Sequence, residues 1–345
     1  MSLDEQLRVG EVTSPTARMT EFHSGLRMAL LLSVLAELGV ADELAEGALP
    51  VDELAARAGA DPGSLYRALR AVASQGVFTE LRPRVFGLTE LAHTLRTGVD
   101  GSMRDIFRLQ GQPFMLHAYA DLGHSVRTGG SAFDHVHGSG LFSYLAARPD
   151  MSELFSRAMG NSARQVQRAA IETYDLSAVQ RLVDVGGAHG HLVSAVLRRY
   201  PHMTAVVFDR PEVVPGAAQV LAEAGVSDRA ELVGGDYFTS VPAGADAYVI
   251  SHVIHQLSDP EAVTVLRNIR AAMDTGGQVI ILDPVLPEGD TPHPGKFMDI
   301  TMMALTGGRD RTEAEIDELL STAGLVLIDT IDLAAPSSVV VAAAA

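Results

Sequence analysis

Cysteine is absent from this sequence of 345 residues. That absence removes disulfides, thiolate metal sites and cysteine nucleophiles together. Positive charge is scarce: 26 Lys and Arg stand against 43 Asp and Glu, for a formal net charge of -17. A field of that sign repels nucleic-acid phosphates and anionic lipid, so a small neutral or cationic ligand is the more natural partner. Long apolar runs are missing too, because charge or Gly interrupts each before it could span a bilayer. The opening Met1-Ser2-Leu3-Asp4-Glu5 is acidic and unlike a secretory signal. These absences lead us to expect a cytoplasmic protein without nucleic-acid or membrane partners. What is present suits a folded enzyme or binding protein. Hydrophobic residues make up 47% of the chain and charged residues 20%, enough for a core and against disorder. The length favours more than one domain.

The first part reads as helical. Met28 to Leu38 is a strongly apolar helix pattern, Val51 to Ala58 a short helix closed by Gly59, and Asp61-Pro62 the cap and start of another that ends at Gly76. Val77–Glu80 and Val85–Thr89 then read as a two-stranded wing, which completes a winged-helix plan. Such a plan serves DNA binding or dimerisation. The second helix offers only Arg67 and Arg70, and the chain is acidic, which disfavours DNA. A helical middle runs from Ser102 to Tyr174. Strands and helices alternate from there: Arg181–Val185, Thr204–Phe208, Ala230–Gly234, Ala247–Ile250, Gln278–Leu282, Leu325–Asp332 and Ser338–Ala342. Helices between the first five strands predict a parallel doubly wound sheet, and the last two a hairpin at its edge. The expected divisions are residues 1–100, 101–175 and 176–345.

Within the alternating part, Leu182-Val183-Asp184-Val185-Gly186-Gly187-Ala188-His189-Gly190 is a strand running into a tight turn before a helix. That arrangement brings a nucleotide-like ligand close to backbone. Roughly 20 residues beyond such a turn an acidic residue takes ribose hydroxyls, and Asp209 occupies that place. No Lys-Ser or Lys-Thr pair follows the glycines, so the turn carries no phosphate-binding lysine. It reads as a site for an adenosyl ligand without a phosphate chain, or as a tight turn alone.

Five motifs in order then carry a family resemblance: Leu182 to Gly187, Phe208-Asp209-Arg210-Pro211-Glu212, Gly234-Gly235-Asp236-Tyr237-Phe238, Ile254-His255-Gln256-Leu257-Ser258-Asp259, and Gly307-Gly308-Arg309-Asp310-Arg311-Thr312-Glu313. The chain resembles the S-adenosylmethionine-dependent small-molecule O-methyltransferases, both the caffeate-type plant enzymes and the bacterial enzymes that tailor natural products. The resemblance spans nearly the whole length. It implies an α/β fold, with a doubly wound Rossmann-like sheet behind a mainly helical winged-helix dimerisation domain. It also implies a homodimer in which the segment from Met19 to Met28 reaches the partner's site, and S-adenosylmethionine as cofactor. The matching cofactor positions are Asp184, Gly186, Gly187, Asp209, Arg210, Asp236, Tyr237, Phe238, Ser251 and His252. Those for the substrate are Phe155, Met159 and Met302, with no preference for Met303.

His255 matches the family's general base, and imidazole titrates near neutrality, where it can take a proton from a hydroxyl. Taken alone it would also fit a helix-start residue facing solvent. Asp283 and Asp310 match its two acidic partners, usually Glu. Each is one methylene shorter, which makes a direct hydrogen bond to His255 less assured. Ala188, Gln256 and Leu257 depart from the family pattern, where Gly, Asp and an aromatic ring are usual. Some relatives on this scaffold retain the cofactor yet perform hydroxylation, decarboxylation or cyclisation, so N-methylation or such non-methylating chemistry is one alternative. A winged-helix regulator sensing a metabolite is another. His117, His124, His135 and His137 form a separate group. Strand-like spacing in His135-Val136-His137 would put two metal ligands on one face, but the family needs no metal and none is expected.

Overall fold

The computed structural model describes residues 14–345, so the acidic segment Met1 to Glu5 lies outside the described residues. The chain forms two compact units. One holds the chain up to Leu116 together with Pro149–Asn161, and the other holds His117–Arg148 with Ser162–Ala345.

In the first unit, helix α1 (Pro15–Glu37) starts from Ser14, whose hydroxyl accepts the N–H of Ala17. Helices α2 (Val51–Ala58) and α3 (Pro62–Ala73) follow, the latter capped by the carboxylate of Asp61. Leu54, Leu65, Leu69 and Val72 point inward from these helices, at the spacing of one helical face, and pack with Phe78 and Phe86. The wing pairs Thr79–Arg82 with Val85–Gly87 and gains a third short strand, Leu49–Pro50, that the sequence pattern did not announce. Its first strand begins later than Val77. Phe78 adopts φ +65 and buries its ring instead of continuing the strand.

The second unit is built on a seven-stranded sheet. Its strands are β1 (Arg181–Val185), β2 (Thr204–Asp209), β3 (Ala230–Gly234), β4 (Ala245–Ser251), β5 (Met273–Asp283), β6 (Leu325–Asp332) and β7 (Ser338–Ala344). Their order is β3-β2-β1-β4-β5-β7-β6. The first five are parallel, and β7 runs antiparallel between β5 and β6. This is the expected doubly wound Rossmann-like sheet with its closing hairpin. The central strands β1, β2 and β4 are almost wholly buried and apolar because helices cover both faces, whereas β3 and β6 at the edges carry exposed and charged residues. Alternate residues serve opposite layers. Val183, Val206, Tyr248 and Ile281 face helices α8 (Asp259–Ala272) and α10 (Glu313–Ala323), whereas Leu182, Val207, Val249 and Ile280 face α7 (His191–Arg199).

Helices α4 (Leu122–Thr128) and α5 (Ala132–His137) form a short hairpin in this unit, before α6 (Pro149–Thr173). A further helix, α9 (Gly295–Leu305), packs beside that hairpin. The strand-like reading of His135 to His137 is corrected here. The Ser131 hydroxyl accepts the N–H of Asp134 and Gly138 closes the end at φ +69, so the segment is a capped helix. Residues two apart on a helix point to different sides, and the two imidazoles diverge.

Candidate active site

Strand β1 delivers the glycine turn at the carboxyl end of the sheet, where open α/β sheets bind ligands. The N–H groups of Gly186 and Gly187 both donate to the carbonyl of Phe208, at 2.8 and 3.2 Å. Gly186 sits at φ +78, and a Cβ there would fall 2.9 Å from Val253. A Cβ on Gly187 would fall 2.8 Å from the Asp184 carboxylate. Neither position has room for a side chain. Ala188 holds φ +45, so the residue standing in for the third glycine pays left-handed strain itself. Its N–H donates to Asp209 Oδ2 at 2.9 Å, while the N–H of Arg210 donates to Oδ1 at 2.7 Å. Asp209 is thereby fixed at the end of β2 with one lone pair left on each oxygen, which suits a pair of ribose hydroxyls. A bare backbone cradle beside a fixed carboxylate fits an adenosyl group. Asp184 is buried beneath the turn, and burial, with the charge of Asp209 second, pushes its carboxyl up to about 7.

On the β3 side, Asp236 is exposed and its Oδ1 accepts the N–H of Phe238 at 2.9 Å. Tyr237 is half-buried against the core, its carbonyl held by Asn268 at 2.8 Å, and the partly exposed Phe238 ring meets it edge-on at 4.8 Å. Ser251 ends β4, with its hydroxyl 3.0 Å from His252 Nδ1. His252 adopts φ +54, and burial followed by the neighbouring His255 lowers its pKa to about 3, so it stays neutral. The Gln256 side-chain amide donates to the His252 carbonyl and closes this turn where the family usually carries Asp. Leu257 packs into the core.

His255 lies in the 3-10 turn Ile254–Gln256 and is 6% exposed, so the solvent-facing reading is overturned. Its Nδ1 is 2.9 Å from Asp310 Oδ1, and its backbone N–H donates to Asp283 Oδ2 at 3.1 Å. The shorter side chains reach after all. Because Asp310 only accepts, Nδ1 carries the hydrogen and the Nε2 lone pair is the basic one. Burial opposes a charged His255, but the Asp283 and Asp310 carboxylates outweigh it and raise its pKa above 6.5. Burial pushes Asp283 up to about 6.

The sequence reading thus named Asp184, the glycines and Asp209 as one group and His255, Asp283 and Asp310 as another, and the fold assembles each. Met302 is buried on α9; Phe155 is half-buried and Met159 38% exposed on α6 in the other unit. Three residues around His255 were given no role. Arg311, 2% exposed, donates to the carbonyls of Ile254, Leu257 and Arg309 at 3.1, 2.9 and 3.1 Å and to Asp259 at 2.7 Å. Gly308 lies so close to the His255–Gln256 peptide that a Cβ would fall 2.3 Å from the His255 carbonyl oxygen. Asp299 on α9 accepts the N–H of Asp310 at 2.9 Å. All three act on backbone, and Arg311 also on the Asp259 carboxylate. The only available signal was the position of Gly308 and Arg311 on either side of Asp310.

Among the described residues no helix is long and apolar enough to cross a membrane. A glycine cradle, a carboxylate placed for ribose and a histidine–carboxylate pair in the unit built on one Rossmann-like sheet fit an adenosyl-cofactor enzyme. Residues 119–326 match the O-methyltransferase domain, and residues 20–98 match the O-methyltransferase dimerisation domain. The chain is 39% identical to phenazine O-methyltransferase PhzM of Lysobacter antibioticus over 338 residues, 98% of each protein. The solved structure of LaPhzM superposes with a TM-score of 0.91 at 38% identity, covering 96% of this chain and 100% of that one. An O-methyltransferase from neocarzinostatin biosynthesis, solved with S-adenosylmethionine and 2-hydroxy-5-methyl naphthoic acid, gives 0.79 at 32% identity over 92% and 96% of the two chains. Other chemistry occurs among the relatives. The 8-amino-8-demethylriboflavin N,N-dimethyltransferase of Streptomyces davaonensis is 35% identical over 90% of each protein. Aclacinomycin 10-hydroxylase of Streptomyces purpurascens is 31% identical over 86% of this chain and 81% of its own. This chain belongs to the S-adenosylmethionine-dependent O-methyltransferase family. It is an enzyme, and S-adenosylmethionine is its cofactor. That settles the choice between catalyst and regulator.

Proposed function

We propose that this enzyme methylates a hydroxyl group on a small aromatic or polyketide-like metabolite, with His255 as the general base. The buried His255–Asp310 contact of 2.9 Å carries the reading. S-adenosylmethionine supplies a methyl group on a sulfonium that needs no activation. The acceptor does need it, because a hydroxyl is a poor nucleophile until its proton is removed. His255 Nε2 takes that proton, and Asp310 stabilises the resulting imidazolium while fixing its tautomer. Asp283 anchors the backbone of His255 and adds negative charge nearby. On this reading Gly186, Gly187, Asp209 and Asp236 hold the cofactor, and Met302 belongs to the apolar surroundings of the acceptor. The protein is a homodimer in this proposal, as its dimerisation domain supports.

His255→Ala should lower kcat by about 10²- to 10⁴-fold against a panel of phenolic acceptors, while S-adenosylmethionine affinity by calorimetry is retained. An unchanged kcat would remove the base and favour N-methylation, where a neutral amine attacks without one. Turnover of an acceptor without release of S-adenosylhomocysteine would instead point to the hydroxylase-like branch.

A further inference from the structure

The four histidines between residues 117 and 137 separate into two groups. His117 and His137 join Phe133 and Tyr144 in an aromatic cluster, with ring centroids 4.4 to 6.2 Å apart. His124 and His135 turn the other way and stack on each other, 4.0 Å apart and 7° from parallel. Asp121 stands beside them, its Oδ2 2.7 Å from His135 Nδ1. One donor atom from each of Asp121, His124 and His135 lies within 4.8 Å of the others.

Local structure presents these donors together. Asp121 immediately precedes α4, and His124 lies three residues on, so both share one helical face. Gly129, at φ +74, ends α4, and the chain folds back into α5, which carries His135. The hairpin is fastened at its base. The Ser131 hydroxyl bonds the Ala304 carbonyl at 3.2 Å, and the Ser125 hydroxyl bonds that of Met303 at 3.5 Å, both on α9.

We propose that Asp121, His124 and His135 form a binding site for a divalent transition cation, with zinc the reference case. Two imidazole nitrogens and one carboxylate suit zinc, nickel or copper, whereas calcium and magnesium prefer oxygen alone. Three protein ligands leave a position for water, the arrangement of an open zinc site. Metal–ligand bonds of about 2.0–2.2 Å require the three donors to close slightly. The Asp121 and His135 donor atoms are already 2.7 Å apart, close enough for one ion to bridge them with a small opening of that pair, and His135 is exposed. The net charge of -17 also favours cations near the surface. Occupancy would tie α4 to α5 over α9, the helix whose Asp299 holds Asp310.

The test uses full-length, tag-free protein stripped with chelator and titrated with zinc chloride against a chromophoric chelator. Cobalt substitution, read by visible absorption, reports the ligand set. One zinc per chain is expected, with a saturable rise in melting temperature. His124→Ala, His135→Ala and Asp121→Asn should each weaken binding by more than about ten-fold, on the scale seen when even supporting residues of metal sites are lost. His117→Ala, in the neighbouring aromatic cluster, should bind as the unmodified protein does. Substoichiometric binding, or equal binding by a folded His124→Ala/His135→Ala double variant, would overturn the site. Circular dichroism of each variant keeps loss of fold separate from loss of ligand.

Discussion

At the scale of single residues, the site places charges where burial and neighbours set their protonation. The proposed base, His255, must be neutral to take a proton, and the carboxylates around it make it hold its own proton more tightly. kcat/KM should therefore rise with pH through a pKa above 6.5. Asp310→Asn should move that limb to lower pH and lower the plateau; a limb that stays in place would separate Asp310 from the base. The same pairing stabilises the fold fully below His255's unfolded pKa and is lost as pH rises through the folded one. Asp184 also weakens the fold as pH rises. Its folded pKa of about 7 lies above its ordinary 3.8, so the folded protein binds a proton in that window that the unfolded chain has released. Asp184→Asn, measured by denaturant unfolding without cofactor, should gain stability relative to the parent between those two values. About 4 kcal/mol is the ceiling set by the linkage relation. A constant difference between acid and alkaline pH would contradict the buried carboxyl.

At the scale of elements, the turn bearing His255 is held from outside by Arg311 and Gly308. A lysine cannot reach the carbonyls of Ile254 and Leu257 and the Asp259 carboxylate at once, since it lacks the fork geometry of guanidinium. Arg311→Lys should lower kcat and shift the pH limb while leaving the Kd for S-adenosylmethionine within about two-fold, because the glycine turn lies on a different element. Gly308→Ala should do so more strongly, since the new methyl would overlap the His255 peptide. Equal losses in kcat and cofactor affinity would show general disruption instead. This division marks where sequence reading ends. Val206-Val207-Phe208-Asp209 is legible because a buried strand ending in a carboxylate is a local pattern. His255 and Asp310 were legible through their motifs, and Asp283 only through the family resemblance. Arg311 was not, because its partners are carbonyls up to 57 residues away, which every residue has, and one carboxylate 52 residues away, on Asp259. His135-Val136-His137 misled because two-residue spacing outweighed the caps at Ser131 and Gly138, which were equally present in the sequence.

At the scale of the molecule, α1 leaves Met19, Phe22 and Leu26 at 64%, 60% and 65% exposure on one helical stripe, the last two within the dimerisation domain and Met19 immediately before it. Phe22→Asp with Leu26→Asp should convert the expected dimer to monomer by light scattering at micromolar protein. An unchanged dimer mass would move the interface elsewhere. The position of β7 has a consequence for how the enzyme comes into being. This strand is synthesised after every other strand of the sheet, yet it lies inside, pairing Ser338 with Asp283 and Val339 with Leu282. The end of β5 that supplies Asp283 thus lacks its neighbour until residues 338–344 emerge from the ribosome. Up to that moment β5 is an open edge, prone to the wrong pairing. The nascent chain can assemble its glycine turn early, because β1, β2 and β4 are already complete, but it cannot finish the wall behind His255, the proposed base. Binding competence should therefore precede catalytic competence during synthesis.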